Sequence, residues 1–253
     1  QEKFVTNTLD YFDNNKENNP EVLWNAKPRF GKTLTTYDLC KGLKAEKILI
    51  VTNRPAIANS WYQDYEKFLG TRSGYYFVSN TDSLKNKKYV VSMQEMQDYL
   101  KHAEDKEHRG CIELVSLQDL KGSKYFGGEY DKLEEVANLE WDILIIDEAH
   151  EGVDTYKTDI AFDHIHRKYT LHLSGTPFKA LANDKFEKDA ICNWTYADEQ
   201  KAKRDWKKES EYENPYENLP KLNLLTYKMS DIVLEKVIQG EDFNNDGDNE
   251  AYA

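Results

Sequence analysis

Little in this chain points to a membrane, a disulfide framework or an unaided grip on nucleic acid. Its 253 residues hold only three cysteines, Cys40, Cys111 and Cys192, which lie far apart with no C-x-x-C pair and no partnering histidine spacing. That pattern argues against a disulfide scaffold or a zinc framework and fits a reducing, cytoplasmic setting. Long apolar runs are missing as well. The longest, around ILII at 143–146, falls far short of the roughly 20 residues a membrane-spanning helix needs. No secretory signal opens the sequence. Positive charge is scarce: 34 Lys and Arg stand against 46 Asp and Glu, a net charge of -12. This is the wrong sign for a domain that holds a polyphosphate backbone by itself. Part of the excess is local, since EDFNNDGDNE at 241–250 carries five acids and no base and leaves -7 for residues 1–240. Contacts to nucleic acid would therefore come from a local basic strip or from a second domain.

What is present reads as a soluble globular chain, because 39% hydrophobic, 32% charged and 13% aromatic residues exclude a disordered composition. The length suits one domain plus extensions. β-Branched apolar runs recur as EVLWNA (21–26), KILIVTN (47–53), GYYFVSN (74–80), CIELVSLQ (111–118), WDILIID (141–147) and YTLHLSG (169–175), which predicts strands. Several are apolar at nearly every position, the mark of strands covered on both faces in a parallel sheet. Segments with helical spacing alternate with them, as in Leu39 and Leu43, or Trp61, Tyr65 and Phe68 after Pro55. The expected fold is α/β, a doubly wound and mainly parallel sheet with helices on both faces. After Pro177 a Lys/Glu-rich stretch, then LNLLTY and the amphipathic DIVLEKVIQ, read as an extension packed on the core. KYVVSMQ (88–94) and IELVSLQ (112–118) echo one another without making a repeat.

Three short stretches carry chemistry. AKPRFGKT (26–33) ends like a phosphate-binding loop but begins with Ala26 in place of the first glycine of G-x-x-x-x-G-K-[ST]. It follows a predicted strand and precedes a helical stretch, as a phosphate cradle requires. Gly31 would let the backbone approach phosphate, Lys32 would reach the terminal phosphates, and Thr33 would offer a hydroxyl to Mg2+. The alternative is an ordinary strand-to-helix turn. IIDEAH (145–150) ends the most apolar strand. There Asp147 is placed to hold hydrated Mg2+ and Glu148 to orient and deprotonate a water, whereas by itself the pair is a solvated strand end. In LSGTP (173–177), Ser174 and Thr176 flank a glycine at another strand end, a polar link from the nucleotide to a neighbouring surface or simply a turn.

In this order and spacing, AKPRFGKT, DEAH and SGTP resemble motifs I, II and III of superfamily 2 helicases. NAKPRFGKTLTTYDL, VTNRPAIANSW, VSLQDLKGSKYFGG and DEAHEGVDT are most similar to the motor segments of restriction-type proteins, the Res subunit of type III enzymes and the type I translocating subunits. The resemblance implies a RecA-like ATP-binding domain over 1–180, an extension and linker over 181–230, and a helical stub with an acidic tail over 231–253. It implies bound ATP and Mg2+, with Glu148 as base and His150, Ser174 and Thr176 as coupling residues. Superfamily loops commonly read A-x-x-G-x-G-K-T, which accounts for Ala26. Arg29 then replaces the middle glycine and puts the usual backbone path in question. Gln1 matches the glutamine that reads the adenine edge, or is an ordinary helical surface residue. Arg54 and Pro55 correspond to a strand-contacting motif, as do Ser116 and Gln118, the alternatives being a helix start and a buried polar strand end. A second RecA-like domain, absent from this sequence, would complete the ATP site, and nuclease or methyltransferase modules would lie elsewhere. The function so implied is that of a motor moving on duplex DNA. A scaffold module with weak catalysis and an RNA helicase motor are the rivals. DFNNDGDNEAYA (242–253) matches half of a calcium loop but ends in Ala253 rather than glutamate, so it reads as a solvated tail.

Overall fold

In KILIVT every side chain from Ile48 to Thr52 is buried, and successive residues turn to opposite faces. Ile48 and Ile50 join one apolar cluster while Leu49 and Val51 join another. Such a strand is stable only between two layers of cover. The computed structural model describes residues 1–53, 57–70, 74–79, 83–102, 110–147, 161–175, 186–206, 214 and 216–219. Along the chain lie α1 (Glu2–Asn14), β1 (Glu21–Ala26), α2 (Lys32–Leu43), β2 (Lys47–Thr52), α3 (Ala58–Phe68), β3 (Tyr75–Val78), β4 (Val90–Val91), α4 (Met93–His102), β5 (Gly110–Ser116), α5 (Leu117–Gly122), α6 (Glu134–Asn138), β6 (Trp141–Asp147), β7 (Arg167–Ser174), β8 (Ile191–Trp194) and α7 (Tyr196–Asp205). The strands form one eight-stranded sheet in the order β4-β3-β5-β2-β6-β7-β1-β8. Every pairing in it is parallel.

Helices α1, α2 and α3 cover one face with Phe12, Tyr37, Leu39, Trp61 and Tyr65. Met96 of α4, Leu120 of α5 and Val136 of α6 cover the other, together with Phe162 and Ile165. Each fully buried Ile, Leu or Val contributes about 1.5–3 kcal/mol. Helix α1 is held by the Trp24 indole, which donates to the Thr8 hydroxyl at 2.8 Å, and by Phe12 stacked on Tyr169 at 4.6 Å. At the opposite edge from the strand C-termini, the Asp142 carboxylate accepts from the Glu46 and Lys47 backbone N–H groups at 2.7 and 3.0 Å and from Lys168 Nζ at 2.7 Å. One acid thereby ties together the starts of β2, β6 and β7.

Every strand read from the sequence is present, with shifts at some ends. The 111–118 run stops at Ser116, whose hydroxyl accepts from the Asp119 N–H at 3.0 Å and caps α5, so Leu117 and Gln118 are helical. Val90–Val91 in the echoing KYVVSMQ is a short edge strand. The stretch after Pro177, expected as an extension, supplies β8 as the other edge of the sheet, and a compact unit runs over Gln1–Arg204. Four strand residues, ICNW, are masked there by flanking charge. Phe68, expected on the apolar face of its helix, is 53% exposed, whereas Trp61 and Tyr65 are buried. A second unit spans Asp205–Ala253, where Trp206 meets Tyr216 edge-on. LNLLTY, DIVLEKVIQ and the 242–253 tail lie outside the described residues. Among the described residues no helix is long and apolar enough to cross a membrane.

One polar group opposes this packing. Glu113, in the middle of β5, is 2% exposed, and its Oε2 has no hydrogen-bond partner. Burial, and then the nearby Glu135 charge, push its carboxyl well above the ordinary value of 4.5. A carboxyl raised in the folded state loses stability as pH climbs past its unfolded value, because the unfolded chain releases the proton that the fold retains. Glu113→Met is expected to stabilise the protein by about 1–3 kcal/mol, the cost of an unpartnered buried polar group. The gain should be larger at pH 8 than at pH 5 in denaturant unfolding, and equal gains at both would contradict a raised carboxyl.

Candidate nucleotide-binding site

Strand β1 ends at Ala26, and the chain turns at once into α2. The Phe30 N–H donates to the Lys27 carbonyl at 3.3 Å to close the turn. Gly31 is the N-cap of α2 at φ +86°, a conformation open to glycine at little cost. A side chain there would also meet Gln1, whose Nε2 lies 2.6 Å from the position a Cβ would take. Gln1 donates from that nitrogen to the Phe30 carbonyl at 2.7 Å, so it sits against the loop. Arg29 stands at φ +69°. An arginine thus adopts the left-handed backbone that glycine supplies more easily, and the substitution leaves a left-handed turn in place.

Helix α2 directs its first N–H groups and its positive end at the loop, the arrangement that favours an anion. Lys32 opens the helix, and its ammonium donates to the Ala26 carbonyl at 2.9 Å. Thr35 and Thr36 turn their hydroxyls back to the Gly31 and Lys32 carbonyls at 2.9 and 2.8 Å. The Thr33 hydroxyl has no protein partner among the described residues.

The parallel sheet carries the other residues to the same edge. Asp147 ends β6 and is 7% exposed; its Oδ2 accepts from the Trp61 indole N–H at 2.8 Å. Trp61 packs edge-on against Tyr37 of α2 with ring centroids 5.6 Å apart, and the Tyr37 hydroxyl donates to the Trp61 carbonyl at 2.9 Å. The loop helix, α3 and the acidic strand end are therefore one packed unit. Ser174 ends β7 opposite Asn25 of β1 and is buried. Gly175 follows against the loop, since a Cβ there would lie 3.6 Å from Pro28 Cδ and 3.9 Å from Lys32 Nζ.

Ser116 is buried, and besides capping α5 its hydroxyl donates to Asp119 Oδ2 at 2.6 Å. Gln118, two residues on, is exposed. Glu148, His150, Arg54, Pro55 and Thr176 lie outside the described residues. Trp61 was legible only as an apolar helix position. The one sequence signal for its second role is chemical, because a buried indole N–H needs an acceptor.

The donor set suits a small hard cation held partly by substrate oxygens. Among the described residues no three His, Cys, Asp or Glu side chains gather to cage a metal, while a carboxylate and a free hydroxyl lie on one edge. Mg2+ is bound in this way, through one or two protein oxygens plus phosphate.

Two expectations follow from this geometry. Left-handed backbone costs an L-residue about 1–2 kcal/mol, and glycine gives back about 0.5–1 kcal/mol in the unfolded chain. Arg29→Gly should therefore change stability by at most about 1 kcal/mol, in the favourable direction, with Arg29→Val clearly destabilising. Denaturant midpoints in which Val is tolerated as well as Gly would contradict the left-handed turn. Trp61→Phe keeps the ring on Tyr37 but removes the donor to Asp147, and should lower unfolding free energy by about 1–3 kcal/mol. An unchanged midpoint would mean that the indole bond carries no weight.

Residues 1–179 match the family described as type III restriction enzyme, res subunit. A putative type II restriction enzyme and methyltransferase of Mycoplasma pneumoniae, RM.MpnORF110P C-terminus, is 25% identical over 268 residues, covering 88% of this chain. The chain spans only 34% of that relative's length. Among solved structures, a nuclease-deletion mutant of the type ISP restriction-modification enzyme LlaGI in complex with a DNA substrate mimic is similar with a TM-score of 0.53. It is 16% identical, over 70% of this chain and 15% of that one. The Sulfolobus solfataricus SWI2/SNF2 ATPase core in complex with double-stranded DNA gives a TM-score of 0.45 at 17% identity, over 74% of this chain and 34% of that one. The LlaGI likeness bears on the fold alone, the RecA-like α/β fold with its parallel sheet covered by helices. By its match over residues 1–179, the chain belongs to the family of type III restriction enzyme res subunits.

Proposed function

We propose that this chain is the first motor domain of a restriction-type translocase, residues 1–180 forming its ATP-binding core and the segments beyond leading through a linker toward a second RecA-like domain. One observation carries the reading: the loop 26–33, Asp147 and Gly175 all stand on the edge where β1, β6 and β7 end, with Gly175 against Lys32 and Pro28. ATP is the substrate and Mg2+ the ion. In this reading the Gly31 backbone and the start of α2 bind phosphate, with Lys32 leaving the Ala26 carbonyl to meet the terminal phosphates. Bound Mg2+ would neutralise charge developing between the phosphates, held by Thr33 and Asp147. Trp61 fixes the orientation of Asp147. Glu148, next in the chain, takes the proton of the attacking water. Gln1, already against the loop, reads the adenine edge, and Arg29 adds a positive group to the cradle. His150, Ser174 and Thr176 connect the site to the DNA-contacting surface.

Duplex DNA is the proposed track, touched through Arg54, Pro55 and Gln118. At Ser116 the hydroxyl is committed to Asp119, which leaves Gln118 as the exposed group of that pair. Nuclease or methyltransferase modules of the full-length protein are the proposed partners. The left-handed turn at Arg29 supports a working loop over a scaffold that has lost it. Hydrolysis by this chain alone should be poor, because an arginine supplied from outside such a site is worth about 10³–10⁵ in rate.

In titration calorimetry Lys32→Ala should lose ATP binding, while Glu148→Gln keeps it and abolishes residual hydrolysis. Equal ATP affinity in the parent protein and Lys32→Ala would sink this assignment. Stimulation of hydrolysis in the full-length protein by duplex DNA over RNA separates the DNA motor from an RNA helicase.

A further inference from the structure

The nucleotide loop is gripped from outside by a part of the chain beyond the family match, β8 and α7. At the β1–β8 edge the Asn25 amide donates to Asn193 Oδ1 at 2.8 Å, one residue before the loop begins. The Lys27 N–H then donates to the Trp194 carbonyl at 3.3 Å, so sheet pairing continues into the loop. The Phe30 ring lies 5.9 Å from that of Trp194. The Lys27 ammonium does not remain in solvent. It meets Glu199 Oε1 at 2.6 Å and lies 5.3 Å from the centroid of the Tyr196 ring. The Glu199 side chain is only 4% exposed and that of Lys27 27%. A buried carboxylate facing one loop lysine fixes that lysine, because leaving either charge alone in the interior is strongly unfavourable.

We infer that Glu199, acting through Lys27, is a positioning residue for the nucleotide loop, with β8 and α7 as an external brace that holds residues 27–30 in their left-handed turn. The brace also explains how an arginine persists at φ +69°: backbone in such a region endures where its surroundings over-determine it. Lys27 is thereby removed from the phosphate-binding charges, and Lys32 is left as the loop lysine with no acidic partner among the described residues. The consequence for affinity rests on the ATP-binding reading above, whereas the brace itself does not.

Glu199→Gln in this chain tests it by two readouts. Amide hydrogen exchange across residues 27–31 should accelerate about tenfold or more while the sheet strands keep their protection. At a temperature where both proteins are fully folded, ATP affinity should fall about tenfold, since small misplacements of a binding group cost up to about 10²-fold. Unchanged exchange in the loop overturns the inference whether or not ATP binds. Faster exchange with unchanged affinity in a parent protein that binds ATP also overturns the positioning role and leaves Glu199 as a structural residue. If the parent protein does not bind ATP, the functional reading fails and the exchange result alone decides the brace. Loss of thermal stability without either change would mark an ordinary ion pair.

Discussion

Parallel pairing of β6, β7 and β1 is the constraint on which the site depends. Because the three strands run the same way in adjacent positions, their last residues emerge on one edge: Ala26, Asp147 and Ser174. Ala26 thereby comes to the same edge as two strand ends that lie more than a hundred positions further along the sequence. Parallel pairing requires crossovers, and crossovers require helices on both faces. This is why the strands are apolar on both sides and why the polar chemistry is confined to their ends. The Asp142 clasp at the opposite edge keeps the starts of β2, β6 and β7 in line, so the ends are aligned as well.

Much of this was legible because burial on two faces leaves an unmistakable run of apolar residues. KILIVT and WDILIID could be little else, and the strand boundaries of EVLWNA and WDILIID follow directly from where polar residues resume. What escaped was decided by partners distant in sequence. ICNW is short and lies in a Lys/Glu-rich stretch, so only the free edge of β1 makes it a strand. Phe68 fits a helical apolar stripe, yet no element among the described residues covers that position. Ser116 resembled a strand-contacting residue, with a buried polar strand end as the alternative, and it is buried at the end of β5 with its hydroxyl bonded to Asp119.

The site was legible in its residue types more than in its tuning. Gly31, Lys32, Thr33 and Asp147 stand out in the sequence because the polyphosphate and Mg2+ chemistry proposed for this edge would restrict the choice of side chain. The residues that hold them in place are not restricted in that way. An indole on Asp147 and a carboxylate on Lys27 fill roles that other side chains could fill, and each required knowing which helix lies beside which loop. The left-handed Arg29 belongs to the same category, since its tolerance is set by neighbours rather than by its own preference.

Lys32 rests on a neutral carbonyl, not on a carboxylate. Among the described residues its charge meets no acidic partner, at the strand edge of a protein that carries a net -12. An approaching anion is repelled by most of the surface and drawn to one spot, so the approach is guided by an electrostatic gradient as well as by shape. Added salt would flatten that gradient, and the encounter rate would become a function of ionic strength even with every contact in the bound state unchanged.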